Sequence, residues 1–346
     1  MTSIPKSMTL QDIDRLLPVW VDEGLPGGGE FLRAPLDDSS RTAAVVALLV
    51  WHGYLPMGSR GWLLGKIHRE RTVMKPGDVH IGRKSRRRAK DYHLTVDIAW
   101  AAVLQNVQHH TFTSSPGNCW LSDELAKAYC NVASLSDSQR HGVSFHSVEL
   151  WHSESGTLVA GDIGYTCGSM YSSCTGFALK DEHPGAGTVQ LAALGKWLEK
   201  RGFAIWDLGM QMSYKRDLGG HIVARKEWAS MVRELRTATG VTLTSPEGTD
   251  RNTSTLLSAT AVATGIALIK QLSRTLSGAM PVAGGITVGC QENADRTDAA
   301  LVAEHTHTEN PAQPLMLFRE ESFDGRADAR KQSTGKRLMK CICPCK

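Results

Sequence analysis

Apolar residues recur at helical spacing through much of the first 135 positions and at strand spacing just after them. Residues 43–51 are apolar almost throughout and predict a buried helix. Val96, Ala99, Val103 and Val107 keep the spacing of one helix face, which predicts a helix over 96–107. Residues 122–133 read as another helix. Ser122 is a good N-cap, and Asp123 and Glu124 suit the positive end of the helix dipole. Beyond residue 140 the pattern changes. Residues 145–151 and 158–165 are strand-like, and the polar turn 153–156 joins them as a hairpin. Gly168 permits a second turn into residues 169–173. Residues 188–201 return to helical spacing, with an inner stripe of Leu191, Leu194, Gly195 and Leu198. The apolar run 203–206 predicts a strand ending at Asp207. Residues 221–224 predict a short strand and 226–235 a closing helix.

The flanks read differently. Residues 1–40 combine a short amphipathic stretch (Ile13, Leu16, Leu17) with the turn Gly27-Gly28-Gly29, and are expected to be peripheral. After residue 240 only Phe318 and Phe323 supply aromatic surface, while Thr, Ser, Ala and Gly increase. This composition predicts a mostly disordered tail over 241–346. The expected organisation is a peripheral segment, 1–40, then a smaller mixed domain, 41–135, then a second domain, 140–240, then the tail.

Hydrophobic content of 41% and charged content of 21% suit a globular protein. No apolar run is long enough to span a bilayer, and the first residues carry acids early and no long apolar core. No membrane partner is expected, and a cytoplasmic location is. The net charge of +4 is unevenly placed: residues 60–93 hold 11 Lys and Arg against 3 Asp and Glu. The run Arg83, Lys84, Arg86, Arg87, Arg88 and Lys90 suits phosphate contacts on nucleic acid. A solvated helix face or a nuclear-import patch would use the same residues. Cys341, Cys343 and Cys345 lack a nearby fourth ligand, so no metal site is expected.

Asp207 follows an apolar strand directly. A carboxylate so placed is poorly solvated unless hydrogen-bonded, and proton-moving sites often put one there. It either handles a proton, orients a group that does, or merely caps the following turn. Ahead of the 188–201 helix, Glu182-His-Pro-Gly185-Ala-Gly187 is a short glycine loop. In acyl-CoA enzymes such a loop holds pyrophosphate, but Glu182 would then face a phosphate.

An ordered series of segments carries a family likeness. His52-Gly53-Tyr54-Leu55-Pro56 resembles RGIFPW, and Leu94-Thr95-Val96-Asp97 resembles VTVD. Trp120-Leu121-Ser122-Asp123-Glu124-Leu125 resembles WITPEM, and His146-Ser147-Val148-Glu149-Leu150-Trp151 resembles HSVEVW. Asp207 followed by Leu218-Gly219 resembles an LIDCQ strand with SLG at the same distance. These are segments of the leucyl/phenylalanyl-tRNA–protein transferases, and here they keep the family order between about residues 45 and 236.

The resemblance implies an α+β fold, with a GNAT-like acyltransferase domain after a smaller mixed N-terminal domain. It implies aminolysis of an aminoacyl-tRNA ester by the N-terminal amine of a protein, which marks that protein for degradation. No cofactor is implied, because the ester is already activated. An apolar donor of the Leu, Phe or Met type and a monomeric enzyme are expected. Asp207 would be catalytic. Gln211 would replace a family glutamine whose place Gly209 takes, provided the strand bulges at Gly209. Trp120, Met170, Cys174, Phe177 and Leu194 would line the aminoacyl and adenosine pocket. Cys174 stands where the family has a glutamate, and is read as a small buried hydrophobe or as a change of chemistry. Arg71, matching the last residue of WWSPDPR, would join Arg83, Lys84, Arg86, Arg87, Arg88 and Lys90 in contacting tRNA. Two other classes compete with this reading: an acyl-CoA-dependent N-acyltransferase and a tRNA-binding protein without catalysis.

Overall fold

The computed structural model describes residues 1–114 and 119–244. Among them the strands form two sheets. The first holds β1 (Thr2–Ser3), β2 (Phe31–Pro35), β3 (Leu55–Ser59) and β4 (Trp62–Lys66) in the order β1-β2-β4-β3. The second runs β11-β5-β10-β9-β8-β7-β6. Its members are β5 (Glu70–Met74), β6 (Tyr92–Val96), β7 (Val143–His152), β8 (Leu158–Cys167), β9 (Met170–Ala178), β10 (Ile205–Gly209) and β11 (His221–Ala224). Two strands of the expected N-terminal domain, β5 and β6, thus enter this sheet, which crosses the boundary drawn near residue 135.

Helices cover the sheets. α1 (Leu10–Glu23) and α2 (Ser40–Trp51) start at Thr9 and Ser39, whose hydroxyls accept hydrogen bonds from Asp12 N and Thr42 N. Every residue from Thr42 to Val50 is buried, so α2 is the core helix that its apolar run predicts. Residues 1–40 are not peripheral. Ile4, Ile13, Leu17, Val21 and Leu32 are buried in the same core, because α1 lays its apolar stripe against α2.

Next come α3 (Arg83–Arg88), α4 (Trp100–Ser114), α5 (Asp123–Val132) and α6 (Asp137–Arg140). The expected helix over 96–107 begins instead at Trp100. Val96 ends β6, where Tyr92, Leu94 and Val96 alternate inward and pair with β7. Asp97 breaks the strand at φ 60°. Val103 and Val107 fit a helix as expected, but Val96 also fits a period of two.

α7 (Ala186–Lys200), α8 (Ser213–Asp217) and α9 (Arg225–Leu235) complete the described fold. The order hairpin, third strand, helix, strand, short strand, helix is the one expected, except that the short helix α8 intervenes between β10 and β11. α7 packs on one face of the second sheet with Tyr171, Trp206 and Leu208. The other face meets α4, α5 and α9, with Ile163, Tyr165, Met170 and Trp228 between them.

Residues 241–244 belong to this packing, whereas 245–346, the rest of the expected tail, lie outside the described residues. Leu243 is buried against α7, and its carbonyl accepts a hydrogen bond from Trp197 Nε1 at 2.9 Å. A chain ending at residue 240 should therefore unfold more easily than one ending at 244. The difference should be about 1.5–3 kcal/mol, the worth of burying one leucine. Equal urea midpoints for the two chains would contradict that.

Candidate functional site

The second sheet splits in its middle. β9 and β10 pair in parallel only over Ile205↔Met170, Trp206↔Tyr171 and Asp207↔Ser172. Beyond this point β9 stays with β8 as far as Ala178↔Ala160, while β10 stays with β5 as far as Gly209↔Thr72. The edge of β9 past Ser172 therefore faces a gap inside the sheet, and Asp207 stands where the gap opens.

Asp207 is 0% exposed and held from four directions. Arg71 of β5 donates from Nε to Oδ1 at 3.1 Å and from its Nη2 to Oδ2. Ser172 Oγ donates to Oδ2 at 2.8 Å, and the Gly209 amide donates to Oδ1 at 2.8 Å. A carboxylate so engaged is a fixed anion with its lone pairs in use. The last of these bonds requires the chain to fold back. The register shifts between Asp207 and Gly209, and Gly209 adopts φ 76°, which favours glycine. Lys215 of α8 grips the same bulge by donating to the carbonyls of Leu208 and Met210. β10 thus runs two residues past the expected end at Asp207.

Arg71 corrects its expected role. It is 2% exposed, lies 5.0 Å from the Trp228 ring centroid and spends its fork on Asp207, so it offers nothing to a phosphate. Burial is the largest single influence and pushes the guanidinium down, but the charge and hydrogen bonding of Asp207, with Tyr165 and Cys174, together outweigh it and the net shift is upward. Its Nη1 donates to His68 Nδ1 at 2.7 Å. Arginine is donor-only, so the His68 proton sits on Nε2. Burial, with Arg71, Lys66 and Lys215 nearby, lowers His68 to about 2 and keeps it neutral. Among the described residues, nothing accepts a hydrogen bond from its buried Nε2.

The second carboxylate at the split was not foreseen. Asp162 of β8 is 4% exposed and pairs in register with Gly176 of β9. Its Oδ2 accepts from Tyr171 Oη at 2.9 Å and Ser173 Oγ at 2.8 Å. Ser173 Oγ in turn accepts from Trp206 Nε1 at 3.0 Å. Tyr171 and Trp206 pack with α7, so Asp162 faces the side of the sheet opposite Asp207. Burial raises its pKa to about 7, against the smaller downward pull of the two hydroxyls and Lys215. Gly164 is needed here. A side chain on it would strike Tyr171 Oη and the Ser172 carbonyl, and so displace the tyrosine that bonds Asp162.

The expected pocket residues do not all meet. Trp120, Met170 and Phe177 are buried in one core, with Cys174 packed against it, but Leu194 lies in the other core on the α7 face. The register shift at Ile163–Gly164 leaves Cys174 as an extra residue in β9. Burial, with Asp162 and Asp207 near it, pushes its thiol well above the usual range, so Cys174 carries no thiolate nucleophile. Gln211 is exposed just past the bulge. Arg83, Lys84, Arg86, Arg87, Arg88 and Lys90 line α3 and the turn after it on the outer side, while Ser85 and Ala89 anchor the inner side. Arg88 extends its guanidinium over Gly185, the N-cap of α7.

A family model described as leucyl/phenylalanyl-tRNA protein transferase matches residues 73–233, which takes in the basic helix, the split and Asp207 but not His68 or Arg71. The leucyl/phenylalanyl-tRNA–protein transferase of Azotobacter vinelandii is 29% identical over 161 residues, covering 46% of this chain and 65% of that one. That of Azoarcus sp. is 28% identical over 162 residues, covering 46% and 63%. The chain thus spans just under two thirds of the length of these relatives. Among solved structures, L-PGS from Bacillus licheniformis aligns with TM-score 0.32 at 12% identity, over 67% of this chain and 82% of that one. FemX aligns with TM-score 0.33 at 10% identity, over 64% and 78%. Both are too distant to bear on the site.

Proposed function

We propose, from the premise that this chain belongs to the leucyl/phenylalanyl-tRNA–protein transferase family as a diverged member, that it moves an aminoacyl group from tRNA to a protein's N-terminal amine. The observation that carries the reading is the split between β9 and β10, with the clamped Asp207 at its apex. The ester would enter the gap, where the free edge of β9 offers backbone N–H groups to the developing oxyanion. The acceptor nitrogen attacks the ester carbonyl, the C–N bond forms and the C–O bond to the ribose breaks. The proton lost by the nitrogen ends on the departing ribose oxygen. Asp207 is too fully bonded to take that proton. Its role is to fix Arg71, the Gly209 bulge and the mouth of the gap, which makes it a positioning residue. Holding both reactants in place is the main source of acceleration expected from such a site.

A peptide with a free α-amine should therefore gain one amino acid from charged tRNA, and its Nα-acetylated twin none. Equal labelling of the two peptides would remove the N-terminal amine from the account.

The basic row on α3 is suited to the tRNA backbone. Arg86→Ala with Arg87→Ala should weaken tRNA binding and flatten its salt dependence. The log–log slope should fall by roughly 0.9 for each duplex phosphate that the protein no longer neutralises. An unchanged slope would assign the row to another partner.

One observation favours acyl-CoA instead, the guanidinium of Arg88 beside the N-cap of α7. Stabilisation by acetyl-CoA in a thermal shift, with none by aminoacyl-tRNA, would select that reading.

A further inference from the structure

The expected donor is apolar, yet the buried group at the α7 side of the split is a carboxylate. Asp162 differs from the other buried acids in how it is satisfied. Asp207 has a cation and two further donors. Glu149 of β7 has donors on both oxygens: Thr95 Oγ1 on Oε2, and Ser147 Oγ and the Ala99 amide on Oε1. Asp162 receives two hydroxyls, both on Oδ2. Among the described residues nothing donates to its Oδ1, and no Lys, Arg or His forms an ion pair with it.

The surroundings of Oδ1 are open for a structural reason. Its cross-strand partner is Gly176, an exposed glycine, and a Cβ there would lie 3.4 Å from Oδ1. That Cβ would first strike the Gly161 carbonyl, at 2.6 Å, so the close approach of the two strands requires glycine at 176 and leaves Oδ1 uncovered. Lys215 acts on Asp162 only through its field, because its ammonium is engaged by Leu208 and Met210. The hydroxyls of Tyr171 and Ser173 hold the carboxyl group still, and Trp206 holds Ser173 from β10. The result is a fixed, unneutralised acceptor tied to β8, β9 and β10 where the gap begins.

We propose that Asp162 is a specificity-determining residue for the aminoacyl donor, and that the side chain it receives is positively charged, of the lysyl or arginyl class. The inference rests on the transferase reading and changes the substrate class expected of it. A cation reaching Oδ1 replaces the solvation that the carboxylate gave up on burial, whereas a leucyl or phenylalanyl side chain would leave that oxygen facing hydrocarbon. An acid that burial holds near neutrality ionises fully once such a cation arrives.

The test uses the full chain and non-hydrolysable 3′-amide analogues of lysyl-, arginyl-, leucyl- and phenylalanyl-adenosine, with transfer from the matching tRNAs measured in parallel. The lysyl or arginyl analogue should bind about tenfold or more tighter than the leucyl one, equal to about 1.4 kcal/mol. Asp162→Leu should invert that order. Asp162→Asn, which keeps the shape and both hydroxyl contacts, should lose most of the preference. Tighter binding of the leucyl or phenylalanyl analogue by the parent chain overturns the proposal and leaves the transferase reading standing. So does a basic preference that neither variant alters. Failure to bind any analogue, with no transfer from any tRNA, overturns the transferase reading and this proposal with it.

Discussion

Arg71→Met should destabilise the protein by about 3–5 kcal/mol, the cost of leaving one member of a buried ion pair without its partner. Methionine fills much of the same volume against Trp228 but returns nothing to Asp207. The carboxylate would keep only Ser172 Oγ and the Gly209 amide, in a site with no solvent to replace the missing donors. His68 would be deprived of its Nδ1 partner at the same time. The double variant Arg71→Met with Asp207→Leu removes both charges and should recover most of the stability, because apolar packing replaces a buried pair at little cost. Urea midpoints of the four chains give the coupling directly. If the single change costs less than about 1 kcal/mol, the pair does not hold the split. The same cycle bears on Asp207→Asn, which halves the ion pair and should lower the midpoint as well as turnover.

The second large effect depends on pH. Asp162 titrates near 7 in the folded chain and at 3.8 as an ordinary aspartate. The folded state therefore holds this proton more tightly than the unfolded state does. The sign follows: the stability linked to that proton is fully present below about pH 4. It is lost progressively as pH rises through 7, and the loss then levels off. A shift of this size corresponds to at most about 4 kcal/mol. Tyr171, Ser173 and Lys215 are the groups that act on the carboxylate, and none of them is altered in Asp162→Asn. That variant should match its parent at pH 4 and become progressively more stable than it towards pH 8. Glu149 is raised in the same direction by burial, but it is present in both chains and cancels in the difference. A difference that stays constant from pH 4 to pH 8 would contradict the assigned titration.

The sequence was most readable where local chemistry decides structure. The N-cap at Ser122, the hairpin around residues 153–156 and the helix α7 follow from spacing and turn residues. Asp207 could be singled out because it interrupts an apolar run. The bulge at Gly209, which the sequence raised only as the condition for Gln211 to stand in for a glutamine, is present, but Gln211 is exposed beyond it. What the sequence hid depends on contacts distant along the chain. Arg71 lies in a basic segment and reads as a surface charge, but its partner is 136 residues away. Leu194 has the right character for an apolar pocket, but the face that α7 presents decides which core it joins. Asp162 sits in a strand that is buried along most of its length, and its only local signal is a charge between Gly161 and Ile163. His68 left no signal before Arg71 was placed. The ordered segments of the family likeness extended further than any one element, because the match from residue 73 to 233 takes in the last two residues of β5 and all of β6 to β11.

The most direct test is single-turnover transfer, read by mass spectrometry. Full-length protein is mixed with one charged tRNA at a time, covering basic and apolar amino acids, and with a peptide whose α-amine is free. The peptide should gain the mass of one aminoacyl group on its terminal nitrogen as an equal amount of tRNA loses its amino acid. Folded protein that binds charged tRNA, yet leaves the peptide mass unchanged with every donor, would contradict the transferase reading.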